Sequence, residues 1–143
     1  MPEATVVAII WRIPKDFLEA FDILPCDILL TRRKYPPFKD LFCLPGGHIE
    51  KFEKADTAIS REVKEETGLD FKGVYQGKSE EIYPDLNIHN VALVYSGRAE
   101  GEVNCNEEVV EYKWVSFHEA LIMKLAFGHE RILKNYISIF GGK

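Results

Sequence analysis

Between Gly47 and Leu69 the chain reads GHIEKFEKADTAISREVKEETGL, and no other stretch limits the fold as strongly. Residues 54–67 read as a helix, because Ala55, Ala58, Ile59 and Val63 recur at helical spacing and Gly68 is a stop signal. At about 100° per residue, Glu62, Glu65 and Glu66 fall within one arc about 100° wide. Thr57, Ser60, Arg61, Lys64 and Thr67 fall on the opposite side. The acid arc overlaps the apolar stripe, whereas a merely solvated acid face would lie opposite it. The carboxylates therefore point toward the body of the protein, where repulsion and desolvation are costly. A bound divalent cation would relieve both. The competing interpretation is a Glu/Lys-rich surface helix held by ion pairs, with Arg61 four residues from Glu65. The inward acids and the flanking glycines disfavour it.

Gly47, Glu53, Arg61-Glu62-Val63, Glu65-Glu66 and Gly68-Leu69, at these spacings, resemble the Nudix box, the signature of the Nudix hydrolase superfamily. The resemblance implies a metal-dependent enzyme that cleaves the pyrophosphate of a nucleoside diphosphate linked to another group, X. By position, Glu65 and Glu66 would be metal ligands, Glu62 a further ligand or the base that deprotonates water, and the Gly46 carbonyl another ligand. Arg61 would orient a glutamate, Glu53 first among them, by a paired hydrogen bond. Gly47 and Gly68 would permit backbone conformations that a side chain obstructs. Oxygen donors without thiolate suit Mg²⁺ or Mn²⁺. The chain departs from the pattern at Phe52, where the family often has glycine, so a differently shaped loop is expected there.

The rest of the chain supplies a frame for this helix. Residues 5–13 read as a buried strand, 27–33 as a second, and 91–99 and 112–115 as two more. Residues 71–76 and 79–83 form two further strands, and 84–87 a turn. Pro45-Gly46-Gly47 reads as a sharp turn, with His48-Ile49-Glu50 as a short strand after it and His48 structural or solvent-facing. Ser116 is placed to cap a short helix. A final helix over residues 128–140 aligns Ile132, Leu133, Tyr136, Ile137 and Phe140 on one side. Residues 15–24 have helix-like spacing and would be an insertion that covers the core or contributes to a homodimer. These elements fit an α/β fold, a Nudix-type α/β/α sandwich with a mixed β-sheet, in one domain over residues 1–143.

At 46% apolar and 29% charged residues, the 143-residue chain has an ordinary soluble balance. Its net charge of −5 argues against binding a nucleic-acid polymer but not a single nucleotide. Cys26, Cys43 and Cys105 lack metal-like spacing and read as reduced thiols of a cytoplasmic protein. The apolar run near the N-terminus is too short to span a membrane. Arg32 and Arg33, with Lys34, form a basic cluster that either contacts substrate phosphate or is a solvated strand end. Glu108, with Glu107 next, is the positional match to an additional site glutamate that Nudix proteins place before a tryptophan-containing strand. Its alternative is an acidic surface loop.

Two segments are similar to ADP-ribose pyrophosphatases of the superfamily: Asp85 to His89 with the strand after it, and Leu125 to His129 with Ile132-Leu133. The first lacks the arginine and glycine usual before the histidine, and the second has Gly128 where aspartate is frequent. The substrate expectation is thus ADP-ribose or a related nucleotide sugar. MutT-like hydrolysis of nucleoside triphosphates, oxidised ones included, is the rival within the enzyme class. A non-catalytic nucleotide sensor is the rival outside it.

Overall fold

A computed structural model describes residues 1–13 and 26–140, the last three through their backbone alone. The expected helix over 15–24 lies outside the described residues.

The strand β1 (Glu3–Arg12) organises everything else. Val6 to Ile10 are buried without a break, because this strand is covered on both faces. Val6, Ala8 and Ile10 pack toward α1 (Ala55–Thr67), with Ala58, Ile59 and Val63. Val7 and Ile9 point the other way, toward Phe117, Ala120, Ile132 and Leu133. The latter belong to α2 (Phe117–Ile122) and α3 (His129–Phe140). Helices thus cover both faces of the sheet, giving the expected sandwich.

The sheet is mixed. β1 runs parallel to β7 (Ile88–Gly97) and antiparallel to β2 (Asp27–Arg33) and β4 (Gly46–His48). β3 (Phe42–Cys43) and β9 (Val109–Ser116) flank β2, and β6 (Val74–Tyr83) pairs with β7. A small separate ladder joins β5 (Asp70–Phe71) to β8 (Ala99–Glu100). On one side β1 changes partner along its length: Val7 faces Gly46, while Trp11 faces Ile28. The chain between β3 and β4 crosses this change of partner, and the cleft described below opens beside it.

Several local expectations change. Gly46-Gly47 is not a turn but the start of β4, hydrogen-bonded along β1; a Cβ on Gly46 would collide with the Val6 carbonyl, so glycine is required by close approach. The strand ends at His48, whose ring meets the exposed Glu3 carboxylate at 2.7 Å. β6 is one strand where two were expected, its register shifting near Gly77 (φ 129). Gly68 closes α1 in the left-handed conformation (φ 76), its N–H reaching the Lys64 carbonyl. Ser116 caps α2 by accepting from the Glu119 N–H at 3.1 Å. Among the described residues no helix is long and apolar enough to cross a membrane.

Candidate active site

Beside the crossing lies a cleft of about 1050 Å³. Glu62, Glu65 and Glu66 of α1 line one end, with Gly46, Gly47 and Glu108. Arg32 and Arg33 line its basic side. Arg61 and Glu53 lie behind the lining.

Glu66 is only partly covered as a residue, but its carboxyl is desolvated. Burial, with the neighbouring Glu62 charge, pushes it up to about 8, against the Gly46 N–H that donates to Oε1 at 3.2 Å. Burial also raises Glu62, and the Arg61 hydrogen bond opposes that rise. Gly47 has no room for a Cβ, which would overlap the Glu62 carboxylate. Helix and strand therefore meet here with almost nothing between them except carboxylate oxygens and backbone.

Arg61 does not lie opposite the acids. Its long side chain folds back, and its guanidinium grips Glu53 twice, Nε to Oε2 at 2.7 Å and Nη2 to Oε1 at 2.9 Å. Nη1 also donates to Glu62 at 2.8 Å and to Glu65 at 3.2 Å. The bond from Arg61 holds Glu53 down at about 2. Glu65 is exposed, so of the three helix acids it is the one that faces solvent most. Thr67, placed opposite the apolar stripe by spacing, is fully buried, its hydroxyl satisfied by donating to the Val63 carbonyl at 2.7 Å.

The donor set fits a hard divalent cation: it offers oxygens alone, and among the described residues the desolvated Glu66 carboxyl has no cation in ion-pair distance, only the more distant charge of Arg33. As they stand, no three His, Cys, Asp or Glu side chains among the described residues converge closely enough to enclose an ion. Arg61 Nη1 draws Glu62 and Glu65 toward itself.

Glu108 is brought to the acid end, and its charge acts on both Glu62 and Glu66. Glu107 is exposed and outside the lining. The two arginines differ. Arg32 is engaged with Glu111 at 3.3 Å. Arg33 donates to the Pro37 carbonyl at 2.7 Å and lies over the Phe127 ring at 4.9 Å, with no ion pair among the described residues.

Among the polar residues of the cleft that had no site role in the sequence, three form one group. Glu81, Asn90 and His129 line the cleft and are all buried. Glu80-Glu81 in a strand should have sent one carboxylate inward by alternation; Glu80 pairs with Lys78 outside, and Glu81 is the inward one. His89, singled out by its segment, is exposed, while its neighbour Asn90 is buried. At Gly128 (φ 66) the backbone is left-handed, which favours glycine over the aspartate expected there; a Cβ would meet only the ends of the Arg131 and Tyr83 side chains.

An α/β/α sandwich with an acid helix opening onto such a cleft defines a class of protein, and comparison with known sequences identifies it. Residues 11–136 match the NUDIX domain family, and the chain belongs to that family. It is 37% identical over 116 residues to the ADP-ribose pyrophosphatase of Methanocaldococcus jannaschii, a match covering 77% of this chain and 65% of that protein's length. The MutT protein of Methanosarcina mazei Go1 superposes with a TM-score of 0.79 at 25% identity, over 96% of this chain and 95% of that one. The NUDIX domain of Shewanella oneidensis NrtR, solved with ADP ribose, superposes with a TM-score of 0.75 at 20% identity, over 97% and 88%.

Proposed function

We propose that the protein hydrolyses the pyrophosphate bond of a nucleoside diphosphate linked to a second group, with Mg²⁺ or Mn²⁺ bound, and that ADP-ribose or a related nucleotide sugar is the substrate. The observation that carries the reaction class is the desolvated Glu66 carboxyl beside Glu62 at the end of a cleft large enough for a nucleotide. The similarity to an ADP-ribose pyrophosphatase supports the choice of substrate.

Gly46 (through its carbonyl), Glu62, Glu65 and Glu66 would hold the cation, and Glu108 would add a fourth carboxylate. When bound, the metal supplies charge withdrawal from phosphate oxygens and lowers the pKa of coordinated water. The chain's own groups divide the remaining work. Glu62, lifted by burial but less enclosed than Glu66 and oriented by Arg61, would accept a proton from water. Arg61 orients it at 2.8 Å while anchored on Glu53. Arg33, without a carboxylate partner in ion-pair distance among the described residues, is better placed than Arg32 to meet a phosphate oxygen. Gly47 lets the substrate approach Glu62 without a side chain between them.

The test is a panel of ADP-ribose, nucleotide sugars, dinucleoside polyphosphates and nucleoside triphosphates with each metal, read as phosphate release after phosphatase treatment. ADP-ribose should give the highest kcat/KM. A triphosphate at the top would move the assignment to MutT-like chemistry, and no turnover of any member would end the enzyme reading.

A further inference from the structure

Leu44 occupies the single step where the chain has left β2 and not yet joined β1. Thr31 pairs with Cys43 behind it and Val7 with Gly46 ahead. Its N–H belongs to neither ladder, yet the residue is 2% exposed, and a buried N–H needs an acceptor. His129 Nδ1 supplies it at 3.0 Å, from 85 residues away along the chain. An accepting Nδ1 carries no hydrogen, so the proton of the neutral ring sits on Nε2.

Nε2 stands 3.3 Å from Glu81 Oε2. That oxygen is closed to water and has no hydrogen bond of good geometry among the described residues. Glu81 Oε1 accepts from the Asn90 amide at 3.2 Å, across the β6–β7 pair. On the other side of Leu44, Ala8 N–H donates to the Pro45 carbonyl at 2.8 Å and Gly46 N–H donates to Glu66. A continuous run of contacts therefore links residues that line the cleft, from β6 to the acid helix, buried from Glu81 as far as Pro45 and partly covered at Gly46 and Glu66. The corner that delivers His129 is strained at Phe127 (φ 56), which holds a side chain in the left-handed region just before Gly128 (φ 66). Strain of this kind persists where its surroundings enforce it.

We propose that Glu81 and His129 are positioning residues for the cation-binding end of the cleft. The Leu44 N–H keeps Nδ1 bare, the Glu81 carboxyl 3.3 Å from Nε2 favours the proton on that nitrogen, and the ring so held fixes Leu44 and with it Gly46 opposite Glu66. The inference rests on the reading that Gly46 and Glu66 hold a cation.

Two measurements test it. In ¹⁵N-labelled wild type at neutral pH, the imidazole nitrogens should show Nε2 protonated and Nδ1 bare; a protonated Nδ1 overturns the proposal. The second is Mn²⁺ affinity by calorimetry in His129→Asn and His129→Gln. The asparagine amide oxygen can replace Nδ1 and still accept from Leu44. Glutamine reaches the Nε2 position and leaves the Leu44 N–H unmatched. Asn should bind Mn²⁺ within about threefold of wild type, and Gln at least about tenfold more weakly, the range seen when a supporting partner is lost. In the same variants, kcat should follow the affinity while KM changes little. Equal losses in both variants, or wild-type affinity in Gln, overturn the proposal. If Gln fails to fold, the imidazole signature decides alone. Absence of ADP-ribose turnover together with the affinity split would sink the substrate reading and leave this inference standing. A wild type that binds no Mn²⁺ would end it.

Discussion

Phe52 carries a residue-level consequence of departing from the family pattern. The position is 95% exposed and has φ 67, a backbone region that glycine tolerates and an L side chain resists. The loop has kept a glycine-suited conformation with a phenylalanine in it. Phe52→Gly should therefore stabilise the protein by about 1 kcal/mol, seen as a Tm rise of roughly 2–8 °C. An unchanged or lower Tm would show that strain is relieved by other means. Sequence spacing located Glu62 and Glu66 on the inward side because helical angle alone determines that. It misplaced Arg61, since a long side chain can reach back across the arc its Cα leaves. It misplaced Thr67 because a hydroxyl bonded to its own helix loses its need for water.

At the scale of elements, what could be read depended on whether a signal was local. α1 was legible from its apolar spacing and Gly68, and α2 from the Ser116 cap. Ser116→Ala should cost about 1 kcal/mol in denaturant unfolding and leave kcat/KM as it was, because the cap is remote from the acid end. A comparable loss in kcat/KM would tie α2 to the cleft. β4 was not legible. Two glycines after a proline have every local mark of a turn, and only the approach of β1, which admits no Cβ at Gly46, makes them a strand. Glu81, Asn90 and His129 were missed for the same reason. Their association depends on which strand pairs with which, and in what register, and nothing within either segment encodes that.

The molecule as a whole joins two carboxylates whose titrations oppose one another. Glu66 is raised from an ordinary 4.5 to about 8. Below 4.5 it is neutral both folded and unfolded. As pH rises from there, the unfolded chain gives up the proton first, so metal-free protein loses stability until the folded group titrates near 8. The loss is on the order of 4–5 kcal/mol. Glu53, lowered to about 2, behaves oppositely: its contribution is present above 4.5 and is lost as pH falls toward 2. Chelator-treated protein should therefore have its highest Tm near pH 5, and Mn²⁺ should raise Tm more at pH 8 than at pH 5.5. In Glu66→Gln the alkaline fall should flatten and the Mn²⁺ response should largely vanish. A pH-independent Tm in the wild type would contradict the Glu66 assignment.

The long-range contact between Leu44 and His129 limits how this scaffold can be re-engineered. Substrate preference is commonly altered by grafting a loop from one relative onto another, on the premise that the loop and the reaction centre are separate modules. Here they are not. The corner at residues 126–129 shapes a cleft wall through Phe127 and, two residues later, supplies the acceptor for the chain that runs on to Gly46. A graft of that corner would transplant part of the support of the proposed cation site with it, and would have to bring the partner of Glu81 along.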